Sequence, residues 1–146
     1  MKIQTSTDYA VRILQFLHAN QGEVYPAAVI SQAIGVSYPF FTRIANQLKR
    51  EGLLKATHGR NGGYELGRSG HEISVYDAFL VMEGNLCLTV CLQKEKPCKN
   101  AAQHNCLIHK FFGELQERVI AAMSGMAIAD LARAEDRLQA ETEQIA

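Results

Sequence analysis

The sequence predicts a mainly α-helical fold with one small β-hairpin: a winged helix-turn-helix followed by a long helix. Three observations carry this. Two short helical patterns are joined by the turn Ile34-Gly35-Val36-Ser37, as in a helix-turn-helix. A glycine-rich string, HGRNGGYEL, follows them and lies across two short strand candidates, the pattern of a hairpin wing. Later, Leu107, Phe111, Leu115, Val119 and Ala122 recur through the segment Cys106 to Met123, an apolar stripe at helical period.

The elements follow in order. From Thr7, Ala10, Val11, Leu14, Phe16 and Leu17 mark a first helix, which Asn20-Gln21-Gly22 ends. After Tyr25-Pro26, residues Ala27 to Ala33 predict a short helix with Val29, Ile30 and Ala33 inward, stopped at Gly35. Ser37 caps the next helix, Pro39 fits its first turn, and Phe41, Ile44, Ala45 and Leu48 form its buried stripe as far as Arg50. Leu53 to Thr57 and Gly63 to Leu66 are the strand candidates, and Ile73 to Met82 reads as a further helix leaving at Gly84-Asn85. Residues 85 to 105 are irregular and too long for a mere connector, so a functional loop is expected. Gly125 breaks the long helix, and Ile128 to Leu138 predicts a short final helix before a frayed polar tail.

At 146 residues, 47% apolar and 21% charged, the chain is an ordinary globular domain with enough core to fold without metal staples. No apolar run approaches the roughly 20 residues that span a bilayer. The N-terminus has polar residues through its apolar positions, unlike a secretory signal, so a cytoplasmic location without membrane association is expected. The net charge is zero, but residues 1 to 70 hold eight Lys or Arg against four Asp or Glu, and the remainder seven against eleven. DNA contact is therefore sought in the first half.

The second helix of a helix-turn-helix enters the major groove with its N-terminal side chains on base edges and phosphates. Those residues are Ser37, Tyr38, Thr42, Arg43 and Gln47. Arg43 can pair bidentately with guanine, Gln47 can read adenine, and Ser37 or Thr42 can bond a phosphate or base. Tyr38 suits the sugar-phosphate, whereas Phe40 and Phe41 suit the core. In the wing, His58, Arg60, Asn61, Gly62 and Gly63 are the candidates: Arg60 supplies charge, and the glycines permit positive φ and close approach of backbone to DNA.

All four cysteines, Cys87, Cys91, Cys98 and Cys106, fall within one twenty-residue window. In a reducing compartment such clustering favours metal or redox chemistry over structural disulfides. The strings TSTDYAVRILQFLH, IGVSYPFFTRIANQLKREGLL and GRNGGYEL, with the late cysteines, resemble the winged-helix iron-sulfur transcription regulators typified by IscR, NsrR and RirA over nearly the whole chain. The resemblance implies a homodimer paired through the long helix, with two reading helices on a near-palindromic double-stranded operator. It also implies an iron-sulfur cluster on Cys91, Cys98 and Cys106, soft thiolates being the preferred ligands of iron in such clusters.

Three thiolates leave one position open. Cys106-Leu107-Ile108-His109 resembles the Cys-Leu-Thr-His of the IscR branch, whose histidine ligates a 2Fe-2S cluster, which makes His109 the first choice. Asp8 matches the aspartate by which the NsrR branch completes a 4Fe-4S cluster from the partner subunit, and Cys87 is a third candidate whose setting Leu86-Cys87-Leu88 also suits a small buried hydrophobe. The gaps of six and seven residues between the three cysteines exceed the family's usual five, so the cluster type stays open.

The expected organisation is a DNA-binding domain over 1–83, a cluster-binding loop over 84–105, and a dimerisation helix with the C-terminal helix over 106–146. The expected function is a transcription regulator, a repressor, whose operator binding follows a cluster sensitive to iron, redox state or nitric oxide, with the iron-sulfur assembly machinery as a further partner. The alternatives are a repressor that is cluster-free or switched by thiol oxidation, and a protein-interaction winged helix in which Arg43 and Arg60 are mere surface charges. No Ser-His-Asp pattern, GxxxxGK loop or acid/base pair points to an enzyme.

Overall fold

The computed structural model describes residues 1–95 and 106–145. Its elements are α1 (Thr5–Ala19), α2 (Ala27–Ile34), α3 (Tyr38–Arg50), β1 (Leu54–Thr57), β2 (Gly63–Leu66), α4 (Val75–Glu83), a 3-10 turn (Val90–Leu92), α5 (Leu107–Ser124) and α6 (Ile128–Ile145). α1 is the central strut, its buried face of Ala10, Ile13, Leu14 and Leu17 meeting Ile30 of α2, Phe41, Ile44 and Leu48 of α3, Ala78 of α4 and Ile128 of α6. β1 and β2 pair antiparallel with Leu54 opposite Leu66 and Thr57 opposite Gly63. Tyr64 ties this hairpin to the core, its ring at right angles to Phe41 with centroids 5.4 Å apart.

Several boundaries differ from the sequence expectation. α1 starts two residues before Thr7, because Glu83 at the end of α4 accepts from the Gln4 amide at 2.9 Å and from the Thr7 hydroxyl. A tertiary carboxylate thus replaces a local cap. In α2, Val29 and Ala33 face solvent, and Ile30 and Ser31 are the buried pair. α4 opens at Val75 because Ser74 and Asp77 form a reciprocal capping box. The expected frayed tail is helical through Ile145: the Ala, Glu and Gln that follow Leu138 are strong helix formers. Hydrophobic period missed this stretch because it buries nothing.

α6 returns to the winged helix through backbone bonds, the Ala129 amide donating to the Gly70 carbonyl and the Ile128 amide to the Ile73 carbonyl. Where they meet, His18 of α1 lies edge-on to His71 at 5.6 Å, its Nδ1 buried without a partner among the described residues, and a Cβ on Gly70 would come within 2.3 Å of that atom. Burial, then His71 and Arg133, hold the His18 imidazole below its usual pKa of 6.5. The unfolded chain therefore binds the His18 proton more readily than the folded one, so this group's contribution to stability is present above pH 6.5 and is lost as the pH falls through the lower folded value. Urea midpoints measured from pH 8 to 5 should fall below pH 6.5, and His18→Gln should flatten that decline; an unchanged slope in the variant would contradict the assignment.

Candidate DNA-reading face and cysteine loop

The reading candidates gather on one surface. Ser37 caps α3, its hydroxyl oxygen accepting from the Phe40 amide at 3.3 Å, so its hydroxyl hydrogen is left to donate to a phosphate. Thr42 donates its own hydroxyl to the Tyr38 carbonyl at 2.9 Å and keeps its lone pairs for an incoming donor. Tyr38 and Arg43 are exposed and Gln47 is half-buried. His58, Arg60 and Asn61 stand exposed at the hairpin tip.

A groove of about 340 Å³ separates α3 from the hairpin, lined by Tyr38, Lys49, His58 and Tyr64, with Pro26 and Ala28 at the start of α2. Lys49 was not among the sequence candidates. Its place in the last turn of α3 reads as a solvated helix end, and only the hairpin's return path brings it beside His58. α2 has no side-chain cap, and an uncapped helix start favours a phosphate. Burial, and then Tyr38, pushes the Tyr64 phenol above its usual value, which keeps it protonated.

The wing glycines differ from expectation in their reason. Among the described residues of the tip only Gly59 has positive φ, at 110°. A Cβ on Gly62 would lie 2.2 Å from the Thr57 carbonyl oxygen, and one on Gly63 would lie 2.2 Å from that of Tyr25, where Tyr25 and Tyr64 form an isolated bridge. Their lack of a side chain serves the protein's own packing. Phe40 reaches the core only in part: Phe41 is fully buried, whereas Phe40 packs half-buried against the core between Tyr9, at right angles with centroids 5.6 Å apart, and the Arg43 guanidinium, 5.2 Å over its ring.

The cysteines lie where α5 begins. Cys106 occupies the α5 N-cap, its sulfur accepting from the His109 amide at 3.5 Å. Cys91 sits in the 3-10 turn, which packs on α5 with Leu92 beside Gly113, and the Leu88 amide donates to Gln116 of α5 at 3.0 Å. Both Cys87 and Cys91 converge on Thr89, the Cys87 thiol donating to its carbonyl and the Cys91 sulfur bonding its hydroxyl, each at 2.9 Å. Leu86 takes the buried position and Cys87 is only half-buried, lining a cavity of about 590 Å³ with Tyr76, Leu92 and Gln116. Cys98 lies outside the described residues.

His109 is exposed one turn into α5. Asp8 is elsewhere: it holds Arg12 at 2.9 Å, raising that guanidinium's pKa, and borders a groove with Ala122 and Met123 at the far end of α5. Ala122 is sixteen residues from Cys106, roughly 24 Å at the helical rise, so Asp8 and Cys106 of one subunit are held apart. Among the described residues no three His, Cys, Asp or Glu side chains form a ready metal cage. The donor chemistry nonetheless suits an iron-sulfur group, since Cys87, Cys91 and Cys106 are free thiols flanking one loop.

The Rrf2 family profile, described as iron-dependent transcriptional regulator, matches residues 3–134. The chain belongs to the Rrf2 family. Protein aau3 of Rhizobium meliloti (strain 1021) is 30% identical over 141 residues, 94% of this chain and 89% of that protein. The HTH-type transcriptional regulator IscR of Serratia proteamaculans (strain 568) is 29% identical over 140 residues, 94% of this chain and 83% of that one. Among solved structures, T. potens IscR superposes with a TM-score of 0.75 at 21% identity, covering 95% of this chain and 91% of that one. CymR (YrzC), the global cysteine regulator of B. subtilis, gives 0.74 at 22%, covering 92% and 98%. As an Rrf2 protein the chain is a winged-helix, DNA-binding transcriptional regulator and not an enzyme. Among its described residues no helix is long and apolar enough to cross a membrane.

Proposed function

We propose that this Rrf2 protein is a homodimeric repressor that reads its operator with α3 and the hairpin and is switched by an iron-sulfur cluster held by Cys91, Cys98 and Cys106, with His109 as the fourth ligand. The observation that carries the proposal is the seat of Cys106 at the N-cap of α5, the helix whose apolar residues Leu107, Phe111 and Leu115 stand exposed among the described residues. A cysteine there couples ligand chemistry to the start of the pairing helix. Cys106 and His109 stand one helical turn apart, so both can face one group.

When bound, the cluster supplies iron-thiolate bonds that respond to iron supply, oxidants or nitric oxide. The chain's own residues do the rest. Cys106 holds the His109 amide only while its sulfur remains at the cap, and Leu88 and Leu92 hold the 3-10 turn on α5 through Gln116 and Gly113. A change in the cysteine loop thereby reaches α5, and from α5 the pairing of two reading heads. Ser37, Arg43, Gln47 and Arg60 supply the contacts to phosphates and bases, and Lys49 with the α2 start grips a phosphate in the groove.

One observation favours a second reading: Cys87 and Cys91 meet at Thr89, which suits a repressor switched by thiol oxidation. Iron and sulfide content with anaerobic visible absorption separates the two. The cluster reading expects a coloured, iron- and sulfide-bearing wild type and its loss in Cys91→Ala, Cys98→Ala and Cys106→Ala. A colourless, iron-free wild type after reconstitution leaves the thiol switch or a cluster-free repressor.

A further inference from the structure

We propose that Phe40 and Tyr9 are positioning residues that hold Arg43 ready for base reading. The Arg43 guanidinium lies over the Phe40 ring at 5.2 Å, Phe40 meets Tyr9 at right angles, and Tyr9 carries the Arg12 guanidinium over its own ring at 5.9 Å. Asp8 ends the line by fixing Arg12 at 2.9 Å. Phe40, half-buried against the core, precedes the exposed Arg43 by one helical turn of α3, while Phe41 and Ile44 fill the core behind them.

The chemistry favours this placement. A guanidinium held over an aromatic ring keeps the N–H groups that point away from the ring free, and such groups can bond guanine O6 and N7. An arginine already held gives up less rotamer freedom on binding than a free one. Tyr9 stops the Phe40 ring from turning away, and it belongs to α1, the strut on which the whole winged helix is packed. The reading side chain is thus set from the core through two rings.

This inference rests on α3 reading bases, and the test separates the two. The probe is the duplex enriched from a randomised library by the wild-type protein, compared with the same duplex after single base-pair replacements. The readout is the ratio of affinities for the two, which a change in folded fraction leaves unmoved. Phe40→Leu should lower that ratio about threefold, the size of a cation–π contact at an exposed site. Tyr9→Leu should act in the same direction, while Phe40→Tyr and Tyr9→Phe, which keep the rings, should match wild type. In an Arg43→Ala background Phe40→Leu should change nothing further. A Phe40→Leu ratio equal to wild type, beside a reduced one in Arg43→Ala, would overturn the positioning role; an unchanged ratio in Tyr9→Leu alone would overturn the part given to Tyr9. If Arg43→Ala keeps the full ratio, or no duplex is enriched, the base-reading role of Arg43 itself falls and this inference with it.

Discussion

Phe111→Glu should convert the protein to monomers and lower operator affinity on the order of a hundredfold, the gain that linking two binding units provides. Phe111 is 62% exposed and Leu107 78% exposed in a single subunit, with Ile108 and Leu115 also open, and no residue of α5 is buried. Large apolar side chains exposed at helical period along one helix mark an interaction surface. The stripe at helical period matches a second copy of itself, and two subunits joined there present two reading helices to two half-sites. A carboxylate at position 111 costs the single subunit little, because that site is already in water, but in a pair it would be buried without a partner. Sedimentation should show the mass halved with helicity retained. A dimer of unchanged stability would place the subunit contact elsewhere.

Cys106→Ser and Cys106→Ala should both lose the cluster, and only the alanine variant should also weaken α5. The sulfur of Cys106 does two things in one place, accepting the His109 amide and standing as a thiolate donor. Serine is a favoured N-cap and keeps the first role, whereas alanine removes it. Neither supplies the soft thiolate that iron-sulfur clusters prefer. After anaerobic reconstitution, iron and sulfide per subunit should drop to background in both, and the unfolding midpoint should drop in Cys106→Ala alone. Full iron content in both variants would remove Cys106 from the ligand set.

The helix-turn-helix was legible in the sequence because its signals are local: Gly35 in the left-handed region ends α2, Ser37 caps α3, and Phe41, Ile44 and Leu48 keep helical period into the core. The hairpin was legible from its glycines, though not the reason for them, since the Tyr25 carbonyl that crowds Gly63 comes from a distant loop. The same limit hid Lys49, which joins the groove only through the fold, and Phe40, whose half-buried place depends on Tyr9 from another helix. At the C-terminus apolar period was the wrong guide, because residues past Leu138 are helical by propensity and exposed. The distance between Asp8 and Cys106 was not legible either. It follows from the direction in which α5 runs, which sets any pairing of Asp8 with the cysteines across two subunits.

In the proposed switch the cysteine loop governs operator affinity. Its most direct test is the dissociation constant for the enriched duplex, measured anaerobically at one fixed salt concentration, for reconstituted protein and for the same protein after chelation has removed its iron. The two constants should differ by roughly tenfold or more, within the usual range of coupling between two sites. Equal constants for iron-bearing and iron-free protein would contradict it, and would leave an Rrf2 repressor whose thiols do not speak to its reading heads.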